Sequence, residues 1–247
     1  TVKVPYSCAL NQTDLLQNCN KFCLVQLLTR SDEAFFLITR AGRVGYDGTS
    51  TLDCFLDKDR ATEAFKAEFS ERTGRQWDTR YADIDKPAPK GKYQYILMKY
   101  DNVATVKSTD PRTNILSESI DKLIKIIYDP NLYNTTSSMG LDTRRLPLGD
   151  LGKAQINKAY TILRGISDAL ATGEKSTVAS LSALYYSTIP TASGMSKLPM
   201  LDTADRISEK IELLELLDNM CYLNKAGSDT YKQYTALNCH IREETNA

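Results

Sequence analysis

The sequence predicts an α+β protein in which an antiparallel sheet with one helix is followed by an all-helical bundle. In residues 1–105, short runs of apolar and branched side chains alternate with polar turns, which is the pattern of β-strands. In residues 114–230, apolar side chains recur every three or four positions, which is the pattern of amphipathic helices. A polar stretch at residues 106–113 would link the two parts, and 247 residues are enough for two domains.

Five extended segments are predicted in the N-terminal part. Residues 22–28 and 34–39 are rich in apolar and branched side chains and would form a β-hairpin across a polar turn at 30–33. Glycines at 42, 45 and 48 punctuate a third extended stretch. Residues 51–56 would form the fourth segment and residues 93–98 the last strand, with a loop at 85–91 before it.

One helix is predicted among these strands, from residue 58 to residue 72. Asp57 is a suitable N-cap, and Gly74 can end the helix. One helical face carries the apolar residues, which are Ala61, Ala64, Phe65 and Phe69.

Four amphipathic helices are predicted in the C-terminal part. The first helix would end near Pro130, and the second would begin at the N-cap Asp150 and end at Gly173. The third, at 178–186, would end before Pro190, and the fourth would begin at the N-cap Asp202 or Thr203. Their apolar stripes indicate core packing and comprise Leu116, Ile120, Leu123, Ile124, Ile127, Leu151, Ile156, Tyr160, Leu163, Ile166, Leu170, Ile207, Ile211, Leu214, Leu217 and Cys221.

Composition disfavours several classes of function. The 31 basic and 31 acidic residues cancel, so the chain lacks the strongly basic balance of many nucleic-acid-binding domains, although a local patch would be enough. No apolar run approaches the ~20 residues of a membrane helix. Six cysteines and one histidine at irregular spacing provide no complete zinc site. No Walker loop and no nucleophile next to His240 is present, so residue chemistry alone favours a two-domain binding protein over an enzyme.

Longer segments resemble a known family. Residues 20–28, 38–45, 64–69 and 72–77 resemble a WGR domain, the DNA-break-sensing module of poly(ADP-ribose) polymerases. Residues 139–156, 186–190 and 210–214 resemble the helical regulatory domain that follows it in this family. The resemblance implies a WGR-like domain at 1–105 and a regulatory domain at 114–230. Residues 231–247 are either the start of the ADP-ribosyltransferase domain or a C-terminal tail.

The transferase domain itself would carry the histidine, tyrosine and glutamate that hold NAD, and these residues have no match in this chain. We therefore expect no catalytic residue and no cofactor here, with NAD bound only if a transferase domain follows. In the family, the helical domain blocks NAD until a DNA-bound WGR domain destabilises it. The resemblance thus implies a nuclear protein that senses DNA ends or nicks in DNA repair and controls ADP-ribosylation.

The signature residues are only partly present. The family's signature tryptophan, which lies against the terminal nucleotide of a break, is Ala41 here. Arg43 matches the arginine that meets backbone phosphate, and Trp77 matches a tryptophan after the helix whose role is packing. Because alanine cannot stack, we expect weaker or redirected recognition of DNA ends.

Five residues are predicted to contact DNA, and each has an alternative role. Arg43 could instead form a salt bridge with a carboxylate, and Asn20 could instead shape a turn. The remaining three, which could equally be solvated surface charges, are Arg40, Lys21 and Lys92. Ala41 and the zero net charge favour the second hypothesis for the whole chain, a catalytically inactive subunit of a protein assembly associated with nucleic acid.

Overall fold

A computed structural model describes residues 2–29, 34–82, 84, 86–98, 122 and 151–226. Five antiparallel strands form one sheet in the order β4-β3-β2-β1-β5. The strands are β1 (Val2–Asp14), β2 (Cys19–Thr29), β3 (Phe35–Arg43), β4 (Thr49–Phe55) and β5 (Gln94–Ile96). The helices are α1 (Lys58–Thr73), α2 (Lys153–Thr172), α3 (Lys175–Thr188) and α4 (Ala204–Ala226). The predicted α+β class, a sheet with one helix followed by helices, is confirmed.

The predicted hairpin is confirmed as β2 and β3, which pair in the register that places Cys23 opposite Ala41. The third extended stretch was predicted wrongly, because the chain continues β3 through Arg43 and then turns. Gly45 and Gly48 occupy this turn with φ values of 93° and 71°, a left-handed conformation that glycine adopts without strain. The hairpin turn at 30–33, the linker, the helix before Pro130 and residues 231–247 lie outside the described residues.

Strand β1 lies between β2 and β5 in the sheet, and the sequence pattern did not reveal it. Its two faces carry different residues: Cys8 and Leu10 pack against α1 and its neighbours, whereas Ala9 packs against the helical part. Asn11, on the same face as Ala9, is fully buried and donates from Nδ2 to the carbonyl oxygen of Tyr186 at 2.8 Å. A strand buried on both faces, with polar residues used for domain contacts, does not show the polar–apolar alternation by which strands are recognised.

Helix α1 begins and ends as predicted. The carboxylate of Asp57 accepts a hydrogen bond from the backbone N–H of Arg60 at 2.7 Å, and Gly74 ends the helix at φ 68°. Ala61, Phe65 and Phe69 are fully buried against the sheet. The predicted packing role of Trp77 is also confirmed, since its ring is buried and meets Phe65 edge-on with centroids 4.8 Å apart.

The described helices of the C-terminal part match the predicted number from residue 151 onward, with one error at a cap. Asp150 is not the N-cap of α2: Gly152 holds that position without a side-chain hydrogen bond, and Leu151 instead bridges to Met98. Gly173 ends α2 at φ 75°, as predicted. Thr203 precedes α4 and accepts through Oγ1 from the Arg206 N–H at 3.4 Å. No described helix is both long and apolar enough to cross a membrane.

The two parts share an extensive interface on the face of the sheet opposite α1. Side chains on α2 and α3 satisfy backbone groups of the sheet: Thr13 N–H donates to Ser187 Oγ at 2.9 Å, and Leu97 N–H donates to Gln155 Oε1 at 3.2 Å. Apolar residues of both parts, including Ile96 and Ile166, form one buried cluster. Because both hydrogen bonds and apolar contacts cross it, this interface fixes the orientation of the helical part relative to the sheet.

The cysteine thiols differ sharply in environment. Burial raises the pKa of Cys23 to about 11 and raises that of Cys8 further, whereas Cys54 is exposed on β4. With iodoacetamide at pH 8, we expect Cys54 to be alkylated at least about 100-fold faster than Cys8 or Cys23, because only the thiolate of an accessible cysteine reacts. Mass mapping of the peptides measures the rates. In urea the three rates should converge, and equal labelling of the native chain would contradict the packing described.

Candidate nucleic-acid interface

The turn between β3 and β4 is built on two glycines in backbone contact. A Cβ atom on Gly42 would lie 2.6 Å from the Cα of Gly48, and a Cβ on Gly48 would lie 2.5 Å from the carbonyl oxygen of Ala41. The side of Gly42 where a side chain would point is filled by Gly48 and the ring of Phe22, so it leaves no room for a nucleotide. The two glycines therefore set the course of the turn that presents Arg43.

Arg43 is the centre of a hydrogen-bond network between the sheet and the helical part. Its Nη1 donates to the Asn18 carbonyl at 2.9 Å, and its Nη2 donates to Asn18 Oδ1 at 3.0 Å. Across the domain boundary, Nε donates to the Gly194 carbonyl at 2.5 Å, and Nη2 donates to the Ser196 carbonyl at 3.1 Å. All four acceptors are neutral oxygens, so these contacts are not the carboxylate salt bridge considered as the alternative.

Asn18 is a site residue that the sequence analysis missed. It adopts φ 50° in the turn between β1 and β2, a conformation that asparagine tolerates better than most residues. Besides accepting from Arg43, it donates from Nδ2 to the Met195 carbonyl at 3.1 Å. The available signal was the preference of asparagine for left-handed turns, but its partners are remote in sequence.

Asn20 lies in β2 and not in a turn. It is 2 % exposed, donates from Nδ2 to the Thr191 carbonyl at 2.8 Å and accepts from Thr13 Oγ1 at 3.4 Å. Its carbonyl also accepts from the Val44 N–H at 3.0 Å, which ties the turn after β3 to β2. Asn20 thus links the turn after β3 to the segment that follows α3. Its contact with DNA stays a prediction.

The three other predicted residues do not share one surface. Lys21 is exposed, and its backbone pairs in register with that of Arg43 at the end of the sheet. Arg40 lies on the opposite face, with its guanidinium 5.5 Å from the centre of the Phe22 ring. Lys92 donates from Nζ to the Glu71 carbonyl at 2.7 Å, where a cation stabilises the C-terminus of α1. The sheet register thus pairs Lys21 with Arg43, whereas Arg40 pairs with Leu24.

The segment that accepts the hydrogen bonds of Arg43 is loosely packed. Residues 194–197 are exposed, and a cavity of about 590 Å³ lies between residues 191–199 and α4. Lys210 borders this cavity, and its pKa is lowered because the ammonium group is partly removed from water. Once the hydrogen bonds from Arg43 and Asn18 are released, a segment with an open surface on one side and a cavity on the other can move at low free-energy cost.

Comparison with known proteins assigns the family. A family model described as "WGR domain" matches residues 6–83, and one described as "Poly(ADP-ribose) polymerase, regulatory domain" matches residues 114–241, more than half of the chain. This chain belongs to the poly(ADP-ribose) polymerase family. The resemblance drawn from the sequence is thereby confirmed.

Individual members of the poly(ADP-ribose) polymerase family match most of the chain. It is 30 % identical over 260 residues to "Poly [ADP-ribose] polymerase 2" of Arabidopsis thaliana, covering 96 % of this chain and 40 % of that protein. It is 32 % identical over 229 residues to "Protein mono-ADP-ribosyltransferase PARP3" of Mus musculus, covering 86 % and 42 %. The human "Poly [ADP-ribose] polymerase 2" is 32 % identical over 230 residues, covering 87 % and 39 %. The chain therefore spans about two-fifths of the length of these relatives.

Ala41, which the sequence resemblance matches to the signature tryptophan of the WGR domain, is half-buried on the α1 face of β3. It packs against the cluster that contains Cys23 and lies two residues before Arg43, the last residue of β3. On this face Tyr93 is half-buried, and the guanidinium of Arg72 lies 6.0 Å from the centre of its ring. Tyr93 was also missed as a candidate, although an aromatic ring beside the Arg72 guanidinium is suited to meeting a nucleotide.

Proposed function

We propose that this chain senses DNA ends or nicks and couples their binding to the control of NAD-dependent ADP-ribosylation. The family assignment supports a regulatory part of a poly(ADP-ribose) polymerase-like protein. The DNA contact, the NAD cofactor of a transferase domain and a nuclear location in DNA repair belong to the proposal.

The observation that carries the proposal is the position of Arg43. Arg43 pairs in register with Lys21 at the end of the sheet, and its guanidinium donates to the carbonyls of Gly194 and Ser196 in the helical domain. A phosphate oxygen is a charged acceptor and forms stronger hydrogen bonds with arginine than a carbonyl does. A phosphate bound by Arg43 would therefore compete with the helical domain for the same N–H groups.

Such competition supplies a physical route for coupling. Withdrawal of Arg43 would leave the carbonyls of Gly194 and Ser196 to water, and the cavity behind this segment would let it rearrange. Arg43 could then bind either a DNA phosphate or the carbonyls of Gly194 and Ser196, but not both at once. DNA binding would weaken the contacts of Arg43 with residues 191–199, and these contacts would weaken DNA binding by the same free energy, which is the coupling between the two sites.

A specific observation also supports the second hypothesis, a structural subunit of a protein assembly. Ala41 provides no stacking ring, and three large apolar side chains are exposed around the Arg43 network: Leu16 at 81 %, Met195 at 74 % and Tyr46 at 42 %. A protein partner would cover these side chains. The two hypotheses differ in what the surface near Ala41 meets, and one substitution at this position distinguishes them.

The Ala41→Trp variant should bind DNA ends and nicks more tightly than the parent chain by about 1–3 kcal/mol, because an indole on this face restores stacking on a terminal nucleotide. We would compare both chains by fluorescence anisotropy on blunt, nicked and circular duplexes at one salt concentration.

As a matched control, Leu56→Trp adds the same ring to an 87 % exposed position beyond β4 and should leave all three affinities unchanged. An equal gain on all three duplexes would indicate nonspecific binding. No gain on any of them, with an unchanged circular dichroism spectrum, would favour the assembly subunit.

A further inference from the structure

Strand β4 forms an edge of the sheet, and no described residue pairs with its outer side. Six of its seven residues are exposed, and Leu52 at the centre of the strand is 62 % exposed. Its backbone is continuously paired with β3 on the inner side, from Thr49 opposite Ala41 to Phe55 opposite Phe35. The outer side therefore offers a regular row of N–H and C=O groups to a further strand.

The two edges of this sheet are protected to very different degrees. β5 is only three residues long, and the residues after it, Leu97 and Met98, are engaged by Gln155 and Leu151 of the helical domain. β4 lacks most of the usual protection, since its sequence contains no proline and no lysine and its pairing with β3 contains no bulge. Asp53 is its single charged residue.

We propose that β4 pairs antiparallel with β4 of a second copy of this chain, on a two-fold axis through Leu52. This register overlaps all seven residues and places Leu52 opposite Leu52 of the second copy. It sets Ser50 opposite Cys54 and Thr51 opposite Asp53, so that each carboxylate faces a hydroxyl group and no like charges meet. A register centred on Asp53 would instead oppose two carboxylates, which destabilises a strand pair.

The side chains next to β4 also fit this pairing. Leu52 lies opposite Ile38 of β3, and Ile38 is half-buried. Joining two copies creates a continuous apolar row in which Ile38 and Leu52 of one copy are followed by Leu52 and Ile38 of the other. Because a two-fold interface brings the same patch together from both copies, this self-complementary row identifies the occupant as a second chain. A single strand pair buries little surface, so the dimer is reversible.

Sedimentation equilibrium of the DNA-free chain over a range of concentrations tests the pairing. We expect a monomer–dimer equilibrium that Leu52→Lys weakens about tenfold or more, because it places two ammonium groups on the axis and removes the apolar contact. Leu56→Lys adds the same charge one residue beyond β4, at an 87 % exposed position, and should change the equilibrium by less than about twofold. A monomer at every concentration, or a dimer that survives Leu52→Lys, would overturn the proposal.

Cross-linking tests the register itself. In a Cys54→Ser background, Leu52→Cys should give a covalent dimer on mild oxidation, since the two sulfurs would face each other across the axis. Leu56→Cys in the same background lies beyond the overlap and should cross-link far more slowly. Equal cross-linking of the two variants would contradict the register. Since no DNA is present, these results are independent of the proposed function.

Discussion

Replacing Gly48 with alanine should lower the free energy of unfolding by about 2–5 kcal/mol. Gly48 has φ 71°, where a side chain costs ~1–2 kcal/mol. The added Cβ would also lie 2.5 Å from the carbonyl oxygen and 2.9 Å from the carbonyl carbon of Ala41. These are backbone atoms of a paired strand, and forcing them apart adds ~1–3 kcal/mol.

Urea unfolding measures this cost, because the fluorescence of Trp77, the single tryptophan, reports on the domain that contains the turn. Gly91→Ala is the matched control: Gly91 has φ 79°, but a Cβ there would meet nothing within 4 Å. The control should lose only the ~1–2 kcal/mol of the left-handed conformation. If both variants lose the same stability, the close contact between the turn and Ala41 is not what makes glycine necessary at position 48.

Replacing Arg43 with alanine should weaken binding to a nicked, 5′-phosphorylated duplex by about 1.5–3 kcal/mol, the range for a hydrogen bond to a charged group. This corresponds to roughly a 10- to 150-fold increase in Kd. The same substitution removes the hydrogen bonds to Gly194 and Ser196, so hydrogen exchange of the amides in residues 191–198 should become faster in the absence of DNA.

Salt dependence separates a phosphate contact from an indirect effect. If Arg43 neutralises one phosphate, the slope of log K against log salt should become shallower by about 0.9 in Arg43→Ala. Arg60→Ala removes the same charge from the first turn of α1 and should leave Kd nearly unchanged. A loss of affinity with an unchanged slope would mean that Arg43 only holds the two domains together, and the phosphate assignment would be wrong.

In the proposed coupling, the single side chain of Arg43 responds to DNA, because it has two sets of hydrogen-bond partners. Asn18 holds the guanidinium from the sheet, while Gly194 and Ser196 hold it from the helical domain. The arginine would need to move little if it kept its hydrogen bonds to Asn18 and exchanged those to Gly194 and Ser196 for a phosphate. The expected movement is therefore in residues 191–199, whose cavity allows it.

Local chemistry alone determined several elements of this protein. Helix α1 could be predicted to within one residue because Asp57 and Gly74, the residues that cap it, are adjacent to it in sequence. The β2–β3 hairpin followed from two apolar runs separated by a short polar turn, so its pairing needed no remote contact. The packing role of Trp77 and the family itself followed from segments whose residues and order are specific.

The roles of the candidate site residues were decided only by the tertiary structure. Arg43 and Asn20 bind carbonyls 151, 153 and 171 residues away, and carbonyl groups carry no sequence signal because every residue has one. The contact between Gly42 and Gly48 depends on the course of the turn, and β1 was hidden because the helical domain covers its second face. The periodicity of a sequence shows which face of a segment is buried in one core and which face is exposed to solvent. The roles of the residues named above depend instead on how the two domains pack together.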